Sequence, residues 1–146
     1  MDEVSIIQYI TDTFVGIEMV KADGNVFFFH GPARMLPMVT LVSKDDYDNV
    51  SNLNRPGVFR LNIGISKPTF LSLFGSQPAP PGVSGVIDTG HDFTALDKLM
   101  PHPVYGQMFW VCVLNPGAAT WETVQTLLAE AYNTAVSKHT KPRPAE

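Results

Sequence analysis

A stretch of strict alternation at residues 58–65 constrains the fold of this chain more than any other feature. Every second position is apolar, in the order Phe59, Leu61, Ile63 and Ile65. The positions between them hold Arg60, Asn62 and Gly64. Because successive side chains of a β-strand point to opposite faces, the pattern predicts a strand with one face in the core. What covers the other face decides whether Arg60 and Asn62 are surface residues or part of a site.

The patterns around this strand predict an α+β fold. Apolar residues recur at helical spacing in residues 2–14, a hairpin pattern spans residues 17–30 around Asp23-Gly24, and strand patterns follow at 38–43 and 108–114. Ser66 and Thr120 are placed to cap a short helix and a C-terminal helix. We therefore expect an antiparallel sheet of about five strands, with the N- and C-terminal helices packed on one face.

Two segments are predicted as minor elements. Residues 44–48 are acidic and indicate a solvated turn or a single helical turn, whereas residues 95–100 indicate one or two helical turns ended by Pro101. Between them, residues 75–91 form a loop rich in proline and glycine. A loop of that length in a compact domain is typically a lid, a binding loop or a mobile insertion.

Composition favours one soluble domain over residues 1–140, with residues 141–146 as a frayed tail. Hydrophobic residues make up 45% of the 146 and charged residues 16%, which is enough apolar material for a filled core. The net charge of −4 disfavours nucleic acid as a partner, because phosphate binding relies on a surplus of Lys and Arg. Cys112 is the single cysteine, within an apolar run that indicates a core residue. With no signal peptide and no membrane span apparent, we expect a cytoplasmic protein.

The side chains most capable of chemistry concentrate in residues 91–110. They are His91, Asp92, Asp97, His102, Tyr105 and Trp110. A histidine beside a carboxylate can act as a general acid or base, so His102, His91, Asp92 and Asp97 are the candidate catalytic residues. The alternative is structural, with His91 and Asp92 capping the following turn and His102 hydrogen-bonding a loop. The two readings stay open at this point.

Candidate ligand-binding residues come from two strands. Arg60 and Asn62 become available to a ligand if their face is covered, and Gly64 there permits a close approach or marks a bulge. Trp110 and Phe109 alternate, so one of them faces away from the main core and could floor a pocket beside Tyr105. His91, Asp92 and His102 match no established metal-ligand spacing, and no phosphate or dinucleotide motif is present. We predict no metal and no cofactor.

Several runs of the sequence resemble an uncharacterised family, domain-of-unknown-function family 6194. They include Phe27-Phe28-Phe29, Arg55-Pro56-Gly57-Val58-Phe59-Arg60-Leu61-Asn62-Ile63-Gly64, Leu99-Met100-Pro101-His102-Pro103-Val104-Tyr105 and Trp110-Val111-Cys112-Val113-Leu114-Asn115-Pro116. This resemblance covers nearly the whole chain and implies no activity. The layout of a tryptophan-bearing strand before a C-terminal helix is also similar to MmcQ/YjbR-like proteins, which implies a frataxin/CyaY-type fold.

Three hypotheses of function follow. The first is a small-molecule-binding domain whose pocket lies between the sheet and residues 75–105, lined by Arg60, His102, Tyr105 and Trp110. The second is a cofactor-free enzyme that uses His102 or His91 with Asp92 or Asp97. The third is an interaction module or homodimer that uses the outer face of residues 108–114.

Overall fold

A single antiparallel sheet organises the part of the chain that the computed structural model describes, residues 1–31 and 36–140. In chain order the elements are α1 (Glu3–Thr13), β1 (Ile17–Ala22), β2 (Asn25–His30), β3 (Val39–Val42), β4 (Arg60–Gly64), α2 (Lys67–Phe74), β5 (Met100–Pro101), a 3-10 helix (Gly106–Met108), β6 (Trp110–Leu114) and α3 (Trp121–Thr140). The α+β prediction is confirmed. The sheet has six strands, one more than predicted.

The additional strand is β5, in a segment predicted to be helical. Met100 pairs with Cys112 and Pro101 with Val111, at one edge of the sheet. The helical prediction for residues 95–100 is therefore wrong. A strand of two residues has no alternation to recognise, and proline is tolerated there because an edge strand leaves one row of N–H groups without partners.

The strands lie in the order β1-β2-β3-β4-β6-β5, and every neighbouring pair is antiparallel. A two-residue turn joins β1 to β2, with φ of 54° at Asp23 and 83° at Gly24. Two consecutive positive φ values are typical of the tight hairpin turn that Asp-Gly favours. The strand first recognised by its alternation, β4, lies between β3 and β6 in the middle of the sheet.

The first face of the sheet carries the helices and the main core. Ile6 and Ile10 of α1 and Leu128 of α3 are fully buried against Leu61 and Ile63 of β4. The prediction that the terminal helices share one face is confirmed. Phe109, which precedes β6, also packs against this core.

The second face is covered by loops in the described residues, and it has a smaller core of its own. That core consists of Val42, Leu53, Val58, Met100, Cys112 and Leu114, with Phe93 packed against it. Residues opposite one another in an antiparallel sheet share a face, so the register also places Thr40, Asn62 and Cys112 in one row here. The face of β4 that carries Arg60 and Asn62 is therefore buried.

The long loop after α2 is fastened at one apolar residue. Ser66 caps α2 and Gly75 ends it in a left-handed conformation with φ of 83°. Ile87 then is 3% exposed, and its N–H donates to the carbonyl of Pro103 at 2.8 Å. Residues 75–91 are thus held to the turn that follows β5.

The frayed tail predicted at residues 141–146 lies outside the described residues. None of the helices in the described ranges is both long and apolar enough to cross a membrane.

Candidate functional site

Arg60 lies on the second face of the sheet with only 2% of its surface exposed. Its guanidinium donates to both carboxylate oxygens of Asp48, at 3.0 and 2.8 Å, and to the Ser51 hydroxyl at 2.9 Å. Its Nε donates to Asn62 Oδ1 at 3.1 Å, and the Asn62 amide donates to Thr40 Oγ1 at 3.0 Å. We call these five residues the Arg60 network. They bring together the two predicted residues of β4 and three that were not predicted.

The ion pair at the centre of the network is charged at neutral pH. Burial by itself would raise the pKa of the Asp48 carboxyl, but the hydrogen bonds and positive charge of Arg60 outweigh it and hold that pKa below its usual value. Sequence analysis missed Asp48, because an acidic stretch at 44–48 is typical of a solvated turn. The available signal was Arg60 itself, since an arginine on an enclosed face needs a carboxylate partner.

His102 lies beside the network and is 4% exposed. His102 comes two positions after Met100 and therefore lies on the same second face of the sheet. Its backbone N–H donates to the backbone carbonyl of Trp110 at 2.9 Å. Its Nδ1 accepts hydrogen bonds from the backbone N–H groups of Val104 and Tyr105, both at 3.0 Å. A nitrogen that accepts hydrogen bonds carries no proton, so the proton of the neutral ring is on Nε2.

The imidazole of His102 is uncharged over the physiological range. Burial and the positive charge of Arg60 lower the pKa of His102 to about 3, although the negative charge of Asp48 acts in the opposite direction. Protonating Nδ1 would also break two hydrogen bonds to the backbone. The side chain is therefore a fixed, neutral hydrogen-bond donor rather than a base matched to neutral pH.

One aromatic ring packs against this histidine, and a second lies over β4. The Tyr105 ring is tilted by 38° against the imidazole with centroids 5.1 Å apart, and 53% of Tyr105 is exposed. The half-buried Trp110 lies over Gly64, where a Cβ atom would be 3.0 Å from the indole Cε2. The glycine on the polar side of β4 thus makes room for the indole.

His91 belongs to a different place in the fold. It lines a cleft of about 260 Å³ that is formed by Phe74, loop residues 76–79 and 88–89, and Pro101, which we call the His91 cleft. Its Nδ1 is 2.7 Å from the Thr89 hydroxyl, and burial followed by the charge of Lys98 lowers its pKa. None of Arg60, His102, Tyr105 and Trp110 lines this cleft. The two predicted histidines therefore lie in different parts of the fold.

Asp92 and Asp97 are engaged in local structure. Asp92 is exposed and accepts from the Thr94 N–H at 3.0 Å and the Thr94 hydroxyl at 2.6 Å. Asp97 accepts from three backbone N–H groups in residues 117–120, at 2.8 to 3.2 Å, and from the Thr120 hydroxyl at 2.6 Å. Asp97 thereby fastens the segment before β5 to the start of α3.

Cys112 is a core residue, as the sequence predicts. It is fully buried, and burial raises the pKa of its thiol to about 12. The thiol is therefore protonated at neutral pH, and a thiol rather than a thiolate is a poor nucleophile. Within the described residues, no group of three or more His, Cys, Asp or Glu is arranged to hold a metal ion.

Comparison with known proteins identifies the family. The model of a family of unknown function, DUF6194, matches residues 1–144, so the chain belongs to that family. No curated protein and no solved structure was found to match the chain. The similarity to MmcQ/YjbR-like proteins therefore stays a prediction.

Proposed function

We propose that this member of the DUF6194 family binds a small molecule on the second face of its sheet, at His102, Tyr105 and Trp110. The observation that carries the proposal is the Arg60 network behind them. The residues paired with Arg60 on the neighbouring strands, Val42 on β3 and Leu114 on β6, are apolar. Replacing a buried ion pair by apolar residues of similar size is often neutral or stabilising, so stability alone does not account for the network. Buried ionisable groups with shifted pKa values cluster at functional sites.

The side chains suit a ligand without a large charge. Asp48 offsets the charge of Arg60, and four of the five N–H groups of Arg60 are used inside the network. His102 supplies one neutral Nε2–H donor, while Tyr105 and Trp110 supply aromatic faces. This combination favours a planar, partly apolar molecule that presents a carbonyl oxygen or a ring nitrogen as acceptor.

The same geometry supports binding better than acid–base catalysis. A general base is most effective when its pKa lies near the working pH, whereas the pKa of His102 is about 3. Asp92 and Asp97 already accept hydrogen bonds from turns and from the start of α3. The His91 cleft, at about 260 Å³, is also smaller than the roughly 300–1,000 Å³ usual for ligand pockets.

The interaction hypothesis at residues 108–114 finds little support in the same packing. Cys112 and Leu114 on the outer face of β6 are fully buried within the chain itself. They are covered by the smaller core, which includes Leu53 and Met100. A large apolar patch available to a partner is therefore not expected on this strand.

A thermal-shift screen against a metabolite library tests the proposal. A ligand present at about 100 times its dissociation constant adds about 2.7 kcal/mol of stability, which corresponds to about 5–10 °C in Tm for a chain of this size. Tyr105→Ala removes an exposed ring and should abolish the shift, whereas the matched Tyr105→Phe keeps the ring and should retain most of it. A library without any stabilising compound, or a shift that Tyr105→Ala leaves intact, would contradict the proposal.

A further inference from the structure

The two edges of the sheet differ in how well they are protected against pairing with another strand. One edge is β5, which has only two residues and ends in Pro101, a residue without an N–H to donate. The other edge is β1, which has six residues, no proline and an unbroken register with β2. Among the described residues, no strand pairs with the outer side of β1. Native proteins usually blunt such an edge or cover it.

The register shows which backbone groups of β1 point outward. Gly16 and Gly31 form a hydrogen-bonded pair, since the Gly31 N–H donates to the Gly16 carbonyl at 3.2 Å. Hydrogen-bonded and non-hydrogen-bonded pairs alternate along an antiparallel ladder, so the groups of Glu18, Val20 and Ala22 also point toward β2. The N–H and C=O groups of Ile17, Met19 and Lys21 therefore point away from the sheet.

We infer that β1 pairs antiparallel with β1 of a second copy of this chain, with Met19 opposite Met19 across a twofold axis. The outward-pointing N–H and C=O groups belong to three residues placed symmetrically about Met19. Two antiparallel copies of β1 can therefore pair through these groups. In this register Ile17 lies opposite Lys21 twice, and no two like charges are directly opposed. The six strands of each copy would join into one continuous sheet of twelve.

The side chains at this edge agree with the pairing. Met19 is 38% exposed although it lies on a strand, and Val15, just before β1, is 83% exposed. Pairing would cover Met19 with its own copy on the helix-bearing face. His102 and Trp110 lie near the opposite edge, beside β5 and β6, so the dimer contact would not cover them. The inference does not depend on the proposed ligand.

The introduction of a charge at Met19 tests the inference, with the molecular mass measured by light scattering during size-exclusion chromatography. The wild type should elute at about twice the 16.0 kDa of one chain. Met19→Lys and Met19→Glu should each be monomeric, because each places like charges directly opposite one another, and an equimolar mixture should restore a dimer. Val83→Lys, on a fully exposed loop residue, should leave the dimer unchanged.

A wild type that stays monomeric at several hundred micromolar overturns the inference, as does a dimer that persists in both charged variants. Failure of the mixture to dimerise overturns the proposed register. Circular dichroism checks that each variant is folded, and the restored heterodimer is a result that misfolded variants could not give.

Discussion

At the scale of single residues, His102 differs from an ordinary histidine because its Nδ1 is committed to two backbone N–H groups. We expect its ring not to titrate between pH 4 and 8 and to be the Nε2–H tautomer throughout. Long-range proton–nitrogen NMR correlations report both the tautomer and the titration of each histidine ring. A His102 signal with a midpoint near 6.5 would contradict the assignment.

The same histidine makes stability depend on pH. In the unfolded chain the pKa of His102 returns to its ordinary value of 6.5, whereas in the folded state it is about 3. Between these values only the unfolded state takes up the proton, so stability falls as pH drops, at up to about 1.4 kcal/mol per pH unit. His102→Gln keeps an acceptor but cannot be protonated. Urea unfolding at pH 4 to 7 should show a shallower slope for this variant, and equal slopes would exclude His102 as the cause.

The Arg60–Asp48 pair predicts an asymmetric response to mutation. Asp48→Ala leaves a buried guanidinium without its counter-charge and should cost about 3–5 kcal/mol. The double variant Asp48→Ala/Arg60→Met removes both charges and should be more stable than Asp48→Ala alone. Asp46→Ala, an exposed carboxylate in the same loop, is the matched control and should change stability by less than about 0.5 kcal/mol.

Urea unfolding at pH 7 measures all three variants. Because the pKa of Asp48 is lowered in the folded state, the ionised carboxylate contributes to the stability of the wild type above pH 3.8, its ordinary pKa. That contribution is lost as the pH falls below this value. A double variant less stable than Asp48→Ala would show that Arg60 contributes to stability without its partner.

At the scale of elements, the loop at residues 75–91 is positioned by the contact between Ile87 and Gly106. A Cβ atom on Gly106 would lie 2.6 Å from Ile87 Cδ1, so Gly106→Ala must displace the isoleucine. We expect a loss of about 1–3 kcal/mol from this overpacking. Ile87→Val deletes the Cδ1 methyl group, so the double variant Gly106→Ala/Ile87→Val should recover part of the loss.

Denaturant unfolding of the two single variants and the double variant gives the coupling energy. A favourable coupling energy between Gly106→Ala and Ile87→Val indicates that residues 87 and 106 are in contact. Simple additivity would mean that the strain at Gly106 arises elsewhere, for example at Pro101 Cβ, which lies 3.2 Å from the same position.

At the scale of the whole molecule, the sequence predicts those parts of the fold that depend on local periodicity. The alternation of β4, the helical spacing of α1 and the Asp23-Gly24 turn were each sufficient to place an element. The short strand β5 was not predictable in this way, because two residues acquire a strand conformation only by pairing with β6.

The candidate site shows the same contrast between patterns that are local in the sequence and contacts that form only in the folded chain. Arg60 and Asn62 could be recognised as a polar face, but their partner Asp48 lies in a loop that only the folded chain brings to the sheet. His91 and His102 lie close in sequence, yet the first lines the His91 cleft and the second lies on the second face. Proximity along the chain was therefore a poor guide to which residues act together.

The most direct test of the account is a backbone-amide NMR titration with any compound that stabilises the protein. We expect the largest chemical-shift changes at residues 102–110 and 60–64, around His102, Tyr105 and Trp110. Changes concentrated instead at residues 74–79 and 88–91 would place binding in the His91 cleft, and changes confined to the helix-bearing face would exclude the second face of the sheet as the binding surface.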